Sequence, residues 1–211
     1  MIDLYTWTTP NGRKASIMLE EIGLPYTVKA VNIGKDEQFS PEFLAVAPNN
    51  KIPAIVDHDA TGGPLAVFES GAILVYLAEK TGKLLPASGP GRYKALEWTF
   101  WQMGGLGPML GQLAYFAVRA TEKSPDAIDR FTKESARLFG VMEGRLSAEP
   151  YLAGEDYSIA DIACYGWTFA ASAMLSKAAP AAWGDNPSIE RWLKTVGERE
   201  AVKRGMAIPQ V

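Results

Sequence analysis

Ile52-Pro53-Ala54-Ile55-Val56-Asp57, followed by Leu65-Ala66-Val67-Phe68-Glu69-Ser70, is the stretch that decides the fold. Two short apolar runs, Ala54 to Asp57 and Leu65 to Phe68, flank a tip containing Thr61-Gly62-Gly63, which is the pattern of a hairpin. A helix then begins at about Ser70 and runs to Lys80. It buries Ile73, Leu74 and Leu77 on one face and stops at Gly82. The chain before the hairpin has a different order. Ile2 to Thr6 reads as a strand, and Gly12 to Ile22 as a helix whose inner face carries Ala15, Met18, Leu19 and Ile22. Gly23 and Pro25 end that helix, and Tyr26 to Val31 resumes a strand with Tyr26, Val28 and Ala30 on one side. Ser40-Pro41 caps and opens a short helical turn through Val46.

This order, βαβ and then ββα, predicts an α/β unit of thioredoxin type over residues 1–83. Residues 84–92, Leu-Leu-Pro-Ala-Ser-Gly-Pro-Gly-Arg, lack apolar periodicity and read as a linker. Residues 93–211 read as an all-helical C-terminal domain. Tyr93 to Phe116 and Ala127 to Leu146 form two long helices. In Tyr157-Ser158-Ile159-Ala160-Asp161-Ile162, Ser158 and Asp161 have capping-box spacing, and Tyr157 and Ile162 that of a hydrophobic staple. Asn186-Pro187 opens a last helix through Arg199.

Composition narrows the chemistry. The 211 residues are 47% apolar and 21% charged, which suits packed domains rather than disorder. The net charge is -3 and no Lys/Arg run marks a nucleic-acid footprint. The chain has one cysteine, Cys164, and one histidine, His58, so internal disulfides, thiolate clusters and His-rich metal sites are excluded. No leader is legible in Met1-Ile2-Asp3-Leu4-Tyr5, and the tract Ile162 to Ser176 is too short and too interrupted to span a bilayer. A cytoplasmic protein without membrane or nucleic-acid partners is the expectation. Any catalytic chemistry must come from hydroxyls, amides, backbone dipoles or a borrowed group.

Four places can carry such chemistry. Thr8-Thr9-Pro10-Asn11-Gly12 joins the first strand to the first helix, where orphan helix amides favour a thiolate. Thr9 and Asn11 there read either as helix caps or as donors to a sulfur that arrives with a ligand. Ile52-Pro53 reads either as a plain strand entrance or as a cis bond that leaves the Ile52 backbone open to an extended peptide. Glu69-Ser70 reads either as a helix cap or as a pair for an ammonium and a carboxylate. Gln38 is a loop amide and Arg130 a helix-surface charge. Tyr5 shares strand parity with Asp3 and Trp7 and reads as packing, Cys164 as a buried apolar residue, and His58 as surface structure. Gly104, Gly105, Gly107, Pro108 and Gly111 interrupt a helix, implying a kink in which bare backbone packs on a neighbour or clears space for a ligand.

Together these elements resemble the glutathione transferase superfamily over essentially the whole chain. The strings Thr9-Pro-Asn-Gly12, Pro48-Asn-Asn-Lys-Ile-Pro-Ala-Ile-Val56, Phe68-Glu-Ser-Gly-Ala-Ile73 and Trp101-Gln-Met-Gly-Gly-Leu-Gly-Pro-Met-Leu-Gly-Gln112 are similar to its Nu class. The resemblance implies a glutathione-dependent disulfide-bond reductase, with organic hydroperoxide reduction as a side activity. S-conjugation and a non-catalytic glutathione-binding module are the alternatives. Glutathione would be the cosubstrate, a small disulfide or hydroperoxide the second substrate, and the chain a homodimer without a metal. Thr9 and Asn11 would meet the glutathione sulfur, Gln38 the glycine carboxylate, and Ile52, preceding Pro53, the cysteinyl backbone. Glu69 and Ser70 would hold the γ-glutamyl end, and Arg130 would come from the neighbouring subunit. Trp7, Trp101, Tyr115 and Phe116 are candidates for an acceptor pocket.

Overall fold

The computed structural model describes residues 1–210, apart from the side chain of Ser176. Contacts divide the chain into two compact units, Met1–Ala87 with the stretch from Gly197 onward, and Ser88–Val196. The stretch from Gly197 onward, expected within the helical domain of residues 93–211, clusters with the first unit.

In the first unit, β1 (Ile2–Thr6), β2 (Tyr26–Ala30), β3 (Ala54–Asp57) and β4 (Leu65–Phe68) form one sheet in the order β2-β1-β3-β4. β1 runs parallel to β2 and antiparallel to β3, and β3 is antiparallel to β4. The helices are α1 (Pro10–Ile22), α2 (Pro41–Leu44) and α3 (Ser70–Thr81). The thioredoxin-like order of elements is thus as expected. Ile2, Leu4 and Ile55 from the sheet are buried, as are Ala15, Met18 and Leu19 of α1 and Ile73, Leu74 and Leu77 of α3. β2 is an edge strand, and on the side that carries Tyr26, Val28 and Ala30 the latter two are exposed.

Register positions the site. Tyr5 pairs with Ala54, and Ala54 with Phe68. The segment after β1, the segment before β3 and the segment after β4 therefore meet at one end of the sheet.

The second unit is helical: α4 (Pro90–Trp101), α5 (Gly107–Ala114), α6 (Pro125–Ala148), α7 (Ile159–Ala178), α8 (Pro180–Trp183) and α9 (Pro187–Gly197). The helix expected from Tyr93 to Phe116, with a kink at its glycine run, is interrupted by π-helical stretches at Gln102–Leu106 and Tyr115–Arg119. Between them, Trp167 packs against the bare backbone of α5: a Cβ at Gly107 would stand 3.2 Å from its Nε1, and one at Gly111 3.3 Å from its ring. Gly104, by contrast, has nothing within 4 Å of where a Cβ would be. α7 starts with the expected capping box. The Asp161 carboxylate accepts from the Ser158 amide at 3.0 Å, and also from the Leu152 amide and the Trp192 indole.

The chain closes with α10 (Glu200–Met206), a helix the sequence reading missed. It lies against α1, and Ser16 Oγ donates to the Gly205 carbonyl at 2.7 Å. Among the described residues, no helix is long and apolar enough to cross a membrane.

Candidate functional site

Thr9 is the N-cap of α1. Its backbone is extended, and the Gly12 amide donates to its hydroxyl at 3.0 Å. This satisfies one orphan amide of the first turn. A hydroxyl has one proton and two lone pairs, so Thr9 accepts from Gly12 and still has a proton to donate. The capping role and the donor role are therefore compatible, because the cap fixes the oxygen that would donate. Pro10 occupies the first helical position and Asn11 the second.

Ile52–Pro53 is a cis peptide bond. Pro53 is buried and Ile52 half-buried at the entrance to β3. Across the sheet end, Glu69 precedes α3 at φ +70° and ψ 117°, a conformation unusual for a residue with a side chain. The Asn49 amide donates to the Glu69 carboxylate at 3.5 Å. Ser70 follows as the first residue of α3 and is buried. Asn50 also has positive φ, at +49°. Two strained residues thus border one corner, a placement typical of ligand sites.

Asn11, Lys51, Ile52, Pro53, Glu69 and Ser70 line a cavity of about 140 Å³ at that corner. Five of these six were singled out in the sequence from three separated segments. Lys51 was missed; the only signal was its place in Asn49-Asn50-Lys51, directly before Ile52. Thr9 and Gln38 are not among the cavity's lining residues. Gln38 is half-buried in a 3-10 turn, Glu37–Phe39, before α2, and its amide donates to Asp36 at 3.4 Å. Arg130 belongs to the second unit, exposed on α6, where it borders a separate groove of about 520 Å³ with Met109, Phe131, Lys133, Glu134 and Arg137.

Tyr5 packs in a small core with Val31, Phe43, Ala47 and Ala54, its ring 6.0 Å from that of Phe43. Burial, aided by the Asp3 charge, pushes its hydroxyl pKa above the ordinary tyrosine value. Tyr5 is therefore a packing residue, and its pKa moves away from what a base at neutral pH needs. Cys164 is buried in α7, and His58 lies exposed with its ring 3.2 Å from Asp3. Among the described residues, no three His, Cys, Asp or Glu side chains are grouped to hold a metal ion.

Family models decide what this arrangement belongs to. The glutathione S-transferase N-terminal domain matches residues 8–80, and the glutathione S-transferase C-terminal domain matches residues 107–200. The chain belongs to the glutathione transferase family. This glutathione transferase is 48% identical over 213 residues to the disulfide-bond oxidoreductase YfcG of Escherichia coli, covering 100% of the chain and 97% of that protein. A glutathione transferase from Burkholderia graminis, solved with two glutathione molecules bound per subunit, superposes with a TM-score of 0.93 at 46% identity, over 99% of this chain and 88% of that one. One from Pseudomonas putida, solved with one glutathione disulfide per subunit, gives 0.93 at 44% identity, over 99% and 91% of the two chains.

Chemically, the glutathione transferase corner offers the Asn11 amide, the Lys51 side chain, the Glu69 carboxylate and the Ser70 hydroxyl at a helix N-terminus, with the Thr9 hydroxyl capping the helix that carries Asn11. That donor set suits a zwitterionic amino-acid group next to a polarisable anion. The cavity is smaller than a drug-sized pocket, so it fits one end of a peptide rather than a whole tripeptide.

Proposed function

We propose that this chain is a glutathione-dependent disulfide-bond reductase in which the reactive sulfur belongs to glutathione. The observation that carries this reading is the gathering of Asn11, Ile52, Pro53, Glu69 and Ser70 around one cavity at the end of the sheet. Glutathione supplies a thiol that, once ionised, exchanges with a disulfide. A second glutathione resolves the mixed disulfide and leaves as oxidised glutathione.

Within residues 1–83, Glu69 takes the γ-glutamyl ammonium and Ser70 the carboxylate, while the Ile52 backbone pairs with the cysteinyl residue. Gln38 meets the glycine carboxylate. Thr9 and Asn11 donate to the sulfur. A free thiol of pKa about 8.5 is only about 3% ionised at pH 7, and lowering it to about 6.5 takes about 2.7 kcal/mol. One or two hydrogen bonds to a charged acceptor supply that, at about 1.5–3 kcal/mol each. No protein thiol or general base is required, which agrees with the burial of Cys164 and the packing of Tyr5. The same thiolate would reduce organic hydroperoxides as a side activity. The functional unit is a homodimer in which Arg130 reaches the partner's site. Tyr93 and Phe100, 69% and 65% exposed on α4, are apolar surface that a partner copy would cover.

The test combines glutathione calorimetry with a coupled assay on 2-hydroxyethyl disulfide. Turnover should survive Cys164→Ser and fall by about 10- to 100-fold in Asn11→Ala, the loss expected for one hydrogen bond to a charged group. Uptake of neither reduced nor oxidised glutathione would overturn the reading. Binding without turnover would make the chain a glutathione-binding module.

A further inference from the structure

One buried charge at this corner has no part in the scheme above. Lys14, on α1, is 1% exposed, and its Nζ donates to Ser70 Oγ at 3.4 Å in buried surroundings. Lysine is almost never fully buried without a paired role, and taking an ammonium out of water is costly. Lys14 is not among the cavity's lining residues, whereas Ser70 is. The charge therefore reaches the cavity through the serine rather than by touching what enters. Ser70 is also the first residue of α3, where the helix dipole adds partial positive charge. The other pole is the exposed Glu69 carboxylate, on the residue before Ser70.

We propose that Lys14 is a positioning residue for the carboxylate end of the ligand: its buried ammonium fixes the Ser70 hydroxyl and makes the cavity select a peptide whose terminal group carries an α-carboxylate. This rests on the reading of the site as a glutathione site and deepens it by assigning the source of its carboxylate selectivity. A carboxylate that accepts from Ser70 stands one hydroxyl away from the buried Lys14 head group. At that separation and burial, the interaction is large enough to change affinity tenfold or more.

Calorimetry with two peptides tests it. One is glutathione; the other is the analogue in which 4-aminobutyryl replaces γ-glutamyl, keeping the ammonium and lacking the α-carboxylate. Wild-type protein should bind glutathione at least about tenfold more tightly than the analogue, equivalent to about 1.4 kcal/mol. Lys14→Met, which keeps the length and removes the charge, should weaken glutathione about tenfold and leave the analogue within about twofold. Its ligand-free thermal midpoint, measured alongside, shows that the variant is folded at the temperature of the binding experiment. Lys14→Arg should recover part of the discrimination. Equal weakening of both peptides in Lys14→Met, or no weakening, would assign Lys14 to structure alone and overturn the proposal. Absence of discrimination by the wild-type protein would overturn it whatever the variants do. Failure of the wild type to bind either peptide would instead remove the glutathione reading beneath it.

Discussion

At φ +70°, Glu69 holds a backbone conformation that a side chain disfavours and glycine adopts readily. Such strain costs about 1–3 kcal/mol. A carboxylate retained at that cost implies a use for it, and under the proposed function the use is the γ-glutamyl ammonium. The two roles separate in one variant. Glu69→Gly should hold or raise stability by up to about 1 kcal/mol, as strain relief exceeds the extra freedom of glycine in the unfolded chain. Glutathione affinity should meanwhile fall about tenfold, since a hydrogen bond to a charged group is lost. Thermal unfolding and calorimetry on the same preparation check both signs. A loss of stability would mean that Glu69 serves the fold. Other site residues were legible for local reasons: Thr9-Pro10 has the signature of a helix start, and Ser70 that of another. Lys14 was not legible. Its place on α1, four residues before the buried Met18, marks the inner face, but a lysine in a sequence is read as solvated by default.

Elements were most legible where punctuation was strong. β3 and β4 have the expected bounds because proline, a glycine-rich tip and Glu69-Ser70 delimit them. The π-helical stretches were legible only as a costly run of glycines and Pro108. The helix between them is approached by Trp167, 56 residues further on than Gly111, and nothing local announces that contact. α10 was missed for a similar reason. Its seven residues carry little periodicity, and what fixes it is α1, nearly 190 residues earlier: Ser16 bonds to Gly205, and Arg199 meets Glu21 with hydrogen bonds of 2.6 and 2.9 Å. The approach is close. A Cβ on Gly205 would lie 2.5 Å from the Ile17 Cα and 2.6 Å from its nitrogen, which are backbone atoms that cannot swing aside. Gly205→Ala should therefore destabilise the protein by about 1–3 kcal/mol, the usual range for overpacking. Because α1 carries Thr9, Asn11 and Lys14, glutathione affinity should fall with it. Denaturant unfolding with calorimetry on the folded fraction measures both. An unchanged unfolding midpoint would show that α10 is held loosely enough to move away.

For the whole molecule, the division of labour proposed here puts the sulfur site in one chain and Arg130 in its partner. No single sequence makes that legible, because an arginine exposed on α6 reads alike whether it faces solvent or a second copy. Closed two-fold symmetry turns the idea into arithmetic. In a homodimer with Arg130 acting in trans, each site needs Asn11 from its own chain and Arg130 from the other. Asn11→Ala and Arg130→Ala homodimers are both deficient. When equal amounts exchange subunits at random, about half the dimers are hybrids. In each hybrid, the site on the Arg130→Ala chain has an intact Asn11 and receives an intact Arg130 from its partner, while the other site has both defects. One site in two within half the dimers restores roughly a quarter of wild-type turnover. If Arg130 instead acts within its own chain, every site in the hybrid keeps one defect and mixing restores nothing. Turnover measured before and after subunit exchange distinguishes the two arrangements, and sedimentation of the wild-type protein as a monomer would exclude the first outright.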